Sequence, residues 1–240
     1  KTEAADNKFS GNDNKNNPCR HTMHIYETDQ SIMVDANQYL KDYVSAELGE
    51  PGPFSRAFWF HGTRTFAGNT FPRGLLALNH SKSLAAKMLV DLAPDELVRK
   101  RLRQWFETGD VPDALFQLRT GDSMLWGPYG HLVRELHFHA RENGLHDYLR
   151  LPELVEDVCN AYLKQYGHDL TAYYLKVLHP CIIWFQADIS YEKGAIETAL
   201  AYAYTSVRAL PPDCHATIGI DCAGKSVSRS SIAKIEFLPP

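Results

Sequence analysis

At 240 residues and 44% hydrophobic, the chain is long enough to bury one full-sized core. Its formal net charge of -4 gives no bulk attraction for nucleic acid, and no apolar run reaches the roughly 20 residues needed to cross a bilayer, so neither is expected as a partner. Five cysteines (Cys19, Cys159, Cys181, Cys214, Cys222), odd in number and without a CxxC pair, argue against a disulfide scaffold or a structural zinc site and for a reducing compartment.

Residues Lys1 to about Arg20 are rich in Asn, Lys and Asp and read as a disordered polar tail. The first residue is Lys1 and not Met, so a processed chain is expected. Thr22 to Val34 has room for a short strand pair. Asp35 is placed to cap a helix in which Tyr39, Leu40, Tyr43, Val44 and Leu48 fall at helical spacing, and Gly49 stops it. Pro51-Gly52-Pro53 is a hard break.

Ala57 to Phe60 is an aromatic-rich apolar run and reads as a buried strand ending in His61-Gly62-Thr63-Arg64. Gly62 has no Cβ, which lets a ligand lie on the backbone there. Pro72-Arg73-Gly74-Leu75 reads as a turn or helix end with Gly74 in a left-handed closing position. Ser81 to Glu107 predicts two helices broken near Pro94, the second starting at Asp95. Arg99-Lys100-Arg101-Leu102-Arg103 is a basic cluster on that second helix, read as a solvated face or as a contact for an acidic partner.

Thr120 to Gly130 predicts a turn, a brief apolar strand and a rigid Gly-Pro-Tyr-Gly turn exposing Tyr129. Leu132, Val133, Leu136 and Phe138 then open a helical region, broken near Pro152, that reaches about Leu178. Pro180 to Ile189 is the clearest buried strand. Ala195 to Ala209 is helical, Pro211-Pro212 ends it, and Ala216 to Asp221 and Ile232 to Leu238 read as strands.

An apolar strand, His-Gly-Thr-Arg, a gap and Gly74-Leu75 resemble the opening of the ADP-ribosyltransferase fold. The branch resembled contains diphtheria toxin and the poly(ADP-ribose) polymerases and carries a His, Tyr, Glu triad on separate strands. The resemblance implies an α+β fold, an ADP-ribosyltransferase-like two-sheet β core with helical insertions at about 81–107 and 131–178, as one catalytic domain over 21–240. It implies NAD as substrate, held by His61, Gly62, Thr63, Arg64, Gly74, Leu75 and Tyr129, with His61, Tyr129 and Glu236 as the catalytic set. Glu236 is the one glutamate on the last predicted strand, and the order from Cys181 through Leu210-Pro211-Pro212-Asp213-Cys214-His215-Ala216 resembles the family's closing segment.

Two departures stand out. Some fifty residues separate Leu75 from Tyr129 where the family has few, and four residues follow Glu236 where the family has a further strand. Tyr191 and Tyr204 are the alternatives for the tyrosine, and Glu135 and Glu192 for the glutamate. The chemistry asked of the triad is stabilisation of an oxocarbenium-like ribose by a fixed carboxylate. An aromatic ring would hold the nicotinamide flat, His61 would bond a ribose hydroxyl, and Arg64 would face a phosphate of NAD or make a surface ion pair.

His137-Phe138-His139 with His146 invites a metal reading, but on a helix residues two apart diverge, so no metal is expected. No Gly-x-Ser-x-Gly sequence, P-loop or dinucleotide fingerprint occurs. The expectation is therefore an NAD-dependent mono-ADP-ribosyltransferase acting on a protein acceptor, with a monomer expected. The resemblance extends to bacterial effectors secreted into host cytoplasm, among them a family that modifies a threonine of ubiquitin. The alternatives are a catalytically inactive ADP-ribose or protein-binding module of the same fold, and an NAD-dependent RNA 2'-phosphotransferase.

Overall fold

A computed structural model describes residues 36–52, 54–189 and 194–239. The expected polar tail, the strand pair at Thr22 to Val34, the Asp35 cap, and Tyr191 and Glu192 lie outside the described residues. The chain divides into two units, Lys1–Pro51 and Gly52–Pro240. In the first, helix α1 (Ala36–Leu48) ends at Gly49, whose φ of 84° is left-handed and whose N–H bonds Ser45 O at 2.8 Å.

The second unit is built on strand β1 (Arg56–Thr65), which continues through the polar residues where the sequence reading stopped it. The backbone ladder accounts for the difference. All ten residues of β1 pair antiparallel with β3 (His179–Asp188), from Arg56↔Asp188 to Thr65↔His179. Threonines at 63 and 65 suit a pleated strand as well as the aromatics do, so polarity alone did not end it. Three shorter strands complete the sheet: β2 (Tyr129–His131), β4 (Gly219–Asp221) and β5 (Ile232–Phe237). The order is β4-β2-β1-β3-β5, with every pair antiparallel.

The fold is thus α+β, with one five-stranded sheet among the described residues in place of the expected two-sheet core. What stands over the sheet is an isolated antiparallel bridge, Leu75↔Val227. Leu75 lies between β1 and the next helix, and Val227 in the segment that carries the chain from β4 at one edge to β5 at the other. One face of the sheet buries Trp59, Ile183 and Phe185 with Leu75, Val227 and Ile232. On the other face Phe60 and Trp184 meet edge to face, with ring centroids 5.0 Å apart.

Helices α2 (Leu78–Asp91), α3 (Glu96–Thr108), α4 (Ala114–Gly121), α5 (Glu153–Tyr166) and α6 (Thr171–Val177) form a lobe with its own core, including Leu102, Trp105, Val158, Tyr162 and Tyr174. The break near Pro94 is present. Asp95 caps α3 by accepting Val98 N–H at 2.8 Å, and Gly109 closes it at φ 75°. The helix α7 (Ala195–Val207) follows β3. Among the described residues no helix is long and apolar enough to cross a membrane.

Two local readings are corrected. The segment after His131 is not α-helical: it makes 3-10 turns at Arg134–Phe138 and Arg141–Asn143, and α-helix begins only at Glu153. Tertiary bonds override its helical spacing, because Arg134 and His137 reach onto the sheet. In the stretch before it, Ser123–Leu125 is a 3-10 turn, and Tyr129 belongs to β2 and not to the turn.

Candidate functional site

His61 lies in the middle of β1, half-buried. Its Nδ1 donates to the Tyr129 carbonyl at 2.6 Å. That bond fixes the neutral tautomer and leaves Nε2 as an acceptor. Burial lowers the imidazole's pKa, the Tyr129 carbonyl opposes the shift, and His131 adds to it. The sequence reading therefore joined two residues, 68 positions apart, that the fold does join.

They meet through the main chain alone. A Cβ on Gly130 would lie 2.9 Å from the Phe185 ring and 3.3 Å from Trp59, so Gly130 faces the Trp59 side of the sheet. Tyr129 and His131 alternate to the Phe60 side. His61, one residue past Phe60 in a regular ladder, faces with Trp59. The Tyr129 ring folds over its own loop, its hydroxyl donating to Met124 O at 2.8 Å, and is 37% exposed. Burial and the nearby Asp221 carboxylate raise the phenol's pKa.

Glu236 does not join them. It stands in the cross-strand row Gly62↔Ile182↔Glu236, whereas His61 stands in the row His61↔Ile183↔Ile235. Neighbouring rows point to opposite faces, so Glu236 is on the far side of the sheet from His61. It shares a face with Tyr129, but three strand spacings, roughly 14 Å, separate β5 from β2. The expected single cleft for the triad is not formed.

Glu236 is occupied where it stands. Arg134 donates Nε to Oε2 at 2.9 Å and Nη2 to Oε1 at 2.7 Å, a bidentate fork, and Trp184 Nε1 adds a bond to Oε2 at 3.0 Å. The Arg134 bonds hold the carboxyl below its ordinary pKa against partial burial, helped by Trp184 and the charge of Lys234. This clasp ties the 3-10 turn at Arg134–Phe138 to the sheet.

The remaining predicted binding residues take structural places. Against Gly62 lies a histidine ring and not open space: a Cβ there would be 2.6 Å from His137 Nδ1. His137 is 7% exposed and donates Nε2 to Phe60 O at 2.8 Å. Thr63 is half-buried opposite Cys181. Arg64 is buried and turned inward. Its Nε and Nη2 donate to Leu178 O at 3.0 and 2.6 Å, Nη2 also to Leu175 O at 2.6 Å, and Nη1 to Leu149 O at 2.7 Å. It thereby satisfies carbonyls at the C-terminal end of α6. Gly74 has φ 80°, and a Cβ would lie 2.0 Å from Val227 O. Leu75 is buried in the bridge to Val227.

Of the alternative residues, Glu135 accepts from Arg134 Nη1 at 3.0 Å and Tyr204 is buried. Among the described residues no group of three His, Cys, Asp or Glu side chains could hold a metal. In the basic cluster, Arg99 pairs with Glu96, and Arg101 stacks 3.9 Å above the Tyr166 ring while bonding Tyr162 OH at 3.0 Å. Lys100 and Arg103 are exposed.

Sequence reasoning missed a histidine seam. His131 pairs with Phe60 in the ladder, and its ring centroid is 5.4 Å from that of His137. Burial lowers the pKa of His131, and that of His137 to about 3. The run His137-Phe138-His139 was the available signal: its histidines read as structural or surface residues in preference to metal ligands, without a partner named for them. No family model, curated protein or solved structure matches the chain.

Proposed function

We propose that the β1–β2 junction binds a ligand of the NAD or ADP-ribose type, and that the chain acts as a binding module and not as a transferase working through Glu236. The observation that carries this reading is the opposition of faces: His61 and Glu236 cannot contact one bound ribose. Support for the ligand class comes from the resemblance of the His61-Gly62 strand. It comes also from the His61 bond to Tyr129, which leaves Nε2 to accept from a ribose hydroxyl.

Calorimetric titration with ADP-ribose and with NAD tests binding, and an assay for released nicotinamide tests catalysis. Saturable binding without nicotinamide release is the expected result; absence of binding to both ligands overturns the reading.

A second reading, ADP-ribosyl transfer to a protein acceptor, is favoured by one observation. Asp221 lies directly opposite Tyr129 in the β2–β4 ladder, so a carboxylate other than Glu236 shares the tyrosine's face. Nicotinamide release that is lost in Asp221→Asn and kept in Glu236→Gln would establish it. A threonine of ubiquitin, and delivery into a host cell, belong to this second reading.

A further inference from the structure

Residues 222–231 form a strap from β4 at one edge of the sheet to β5 at the other, roughly 19 Å apart across four strand spacings. Its centre is pinned by Leu75 N–H to Val227 O at 3.0 Å and Val227 N–H to Leu75 O at 2.8 Å. A groove of about 440 Å³ opens along it, with Ala187, Ile220 and Val227 as apolar lining and Lys225, Ser226 and Ser228 as polar lining.

Ser226 has the surroundings of an activated hydroxyl. Its Oγ is 3.3 Å from Nδ1 of His80, and it accepts the Ala77 N–H at 3.1 Å. His80 sits in the first turn of α2 and Ala77 immediately precedes that helix. On the far side of the imidazole, the Asn79 side-chain amide is 3.5 Å from Nε2, and the Asn79 carbonyl oxygen is buried without a partner. Turned over, the amide presents that oxygen to Nε2–H and sets Nδ1 as the acceptor for the serine proton. The strap reads Gly224-Lys225-Ser226-Val227-Ser228, with Gly224 at φ 75°, and leads into the Val227 bridge and β5 and not into a helix, so the serine is set by the strap and not by a strand-to-helix elbow.

We propose that Ser226, with His80 as general base, is a nucleophile that cleaves small acyl esters in this groove, independently of any ligand at His61. Ser226 Oγ forms a bond to the acyl carbon as His80 takes its proton. The bond to the ester oxygen breaks and the proton passes to the leaving alcohol. Water, deprotonated by His80, then releases the acid and restores the serine. The Ala77 N–H steadies the charge on Oγ as the proton leaves.

Incubation with a fluorophosphonate probe, followed by peptide mapping of the wild-type chain, tests this without any variant: Oγ bonds phosphorus and fluoride leaves. Modification at Ser226 is expected, with p-nitrophenyl acetate hydrolysis lost in Ser226→Ala and labelling slowed on the order of a hundredfold in His80→Ala. An unlabelled wild-type chain overturns the proposal. So does a label mapping to another residue, or full ester hydrolysis by a folded Ser226→Ala variant.

Discussion

Gly62 of β1 and Glu236 of β5 flank Ile182 in a single cross-strand row, so the glutamate stands on the face where the His137 ring covers the glycine. His61, the next residue back, points the other way. One position along a strand therefore separates a triad from two unrelated sites.

The Gly62 position is where this packing is most exposed to test. Gly62→Ala places a methyl 2.6 Å from His137 Nδ1 and must displace a buried ring. A loss of roughly 1–3 kcal/mol is expected, read from denaturant midpoints. The loss in Gly62→Ala/His137→Ala should be smaller than the sum of the two single losses, because the clash disappears with the ring. Strict additivity would show that the glycine is required for another reason.

Glu236→Gln keeps the size of the side chain and removes its charge. Ligand affinity at His61 should not change, since the carboxylate is on the other face. Stability should fall by about 1.5–3 kcal/mol, the worth of a hydrogen bond to a charged group. The pKa of Glu236 is depressed in the folded chain, so its contribution is complete above the ordinary value of 4.5 and is lost as pH falls through the lower folded value. Wild type and Glu236→Gln should therefore converge in stability in strong acid.

The histidine seam predicts a second, milder acid window. Folded His137 stays neutral down to about 3, whereas the unfolded chain takes up the proton near 6.5. Unfolding is then coupled to proton uptake, and stability declines as pH falls from about 6.5 towards 3. His61 and His131, both depressed by burial, act in the same direction. His137→Gln keeps a donor for Phe60 O without the titration. Melting curves across this range should show a shallower slope for that variant.

Arg64→Lys should be severe although the charge is kept. A lysine cannot reach Leu149, Leu175 and Leu178 carbonyls together, and each buried carbonyl left unpaired costs about 1–3 kcal/mol. Thermal melts should show a large loss. By contrast, the salt dependence of NAD or ADP-ribose affinity should be unaltered in any folded population, since the guanidinium does not meet phosphate. A steeply changed salt dependence would return Arg64 to the ligand site.

His61→Ala separates ligand contact from fold. The imidazole makes one bond, to Tyr129 O, so the variant should fold. Titration should show ADP-ribose binding weakened at least severalfold, consistent with loss of one hydrogen bond of about 1 kcal/mol. Unchanged affinity would remove His61 from the site.

The local elements were legible in the amino-acid sequence because their causes are local. Pro94 and the Asp95 cap divide α2 from α3, and the apolar run around Ile182 and Ile183 makes β3. Adjacent His61 and Gly62 marked the right strand. Which side of the sheet a distant residue faces was decided only by tertiary structure. On β5, Ile232 and Ile235 are three apart and by simple alternation would face opposite ways. Ladder irregularity at Trp184/Phe185 lets Ile232 pair with Phe185 and Ile235 with Ile183, so both join the same core. That irregularity brings Ile232 to the core face, while Glu236, next to Ile235 in the regular part of the ladder, faces the other way, towards Arg134 and away from His61. A strand's period of two means that one residue of register reverses every side chain, and register is a property of the paired strands and not of either alone.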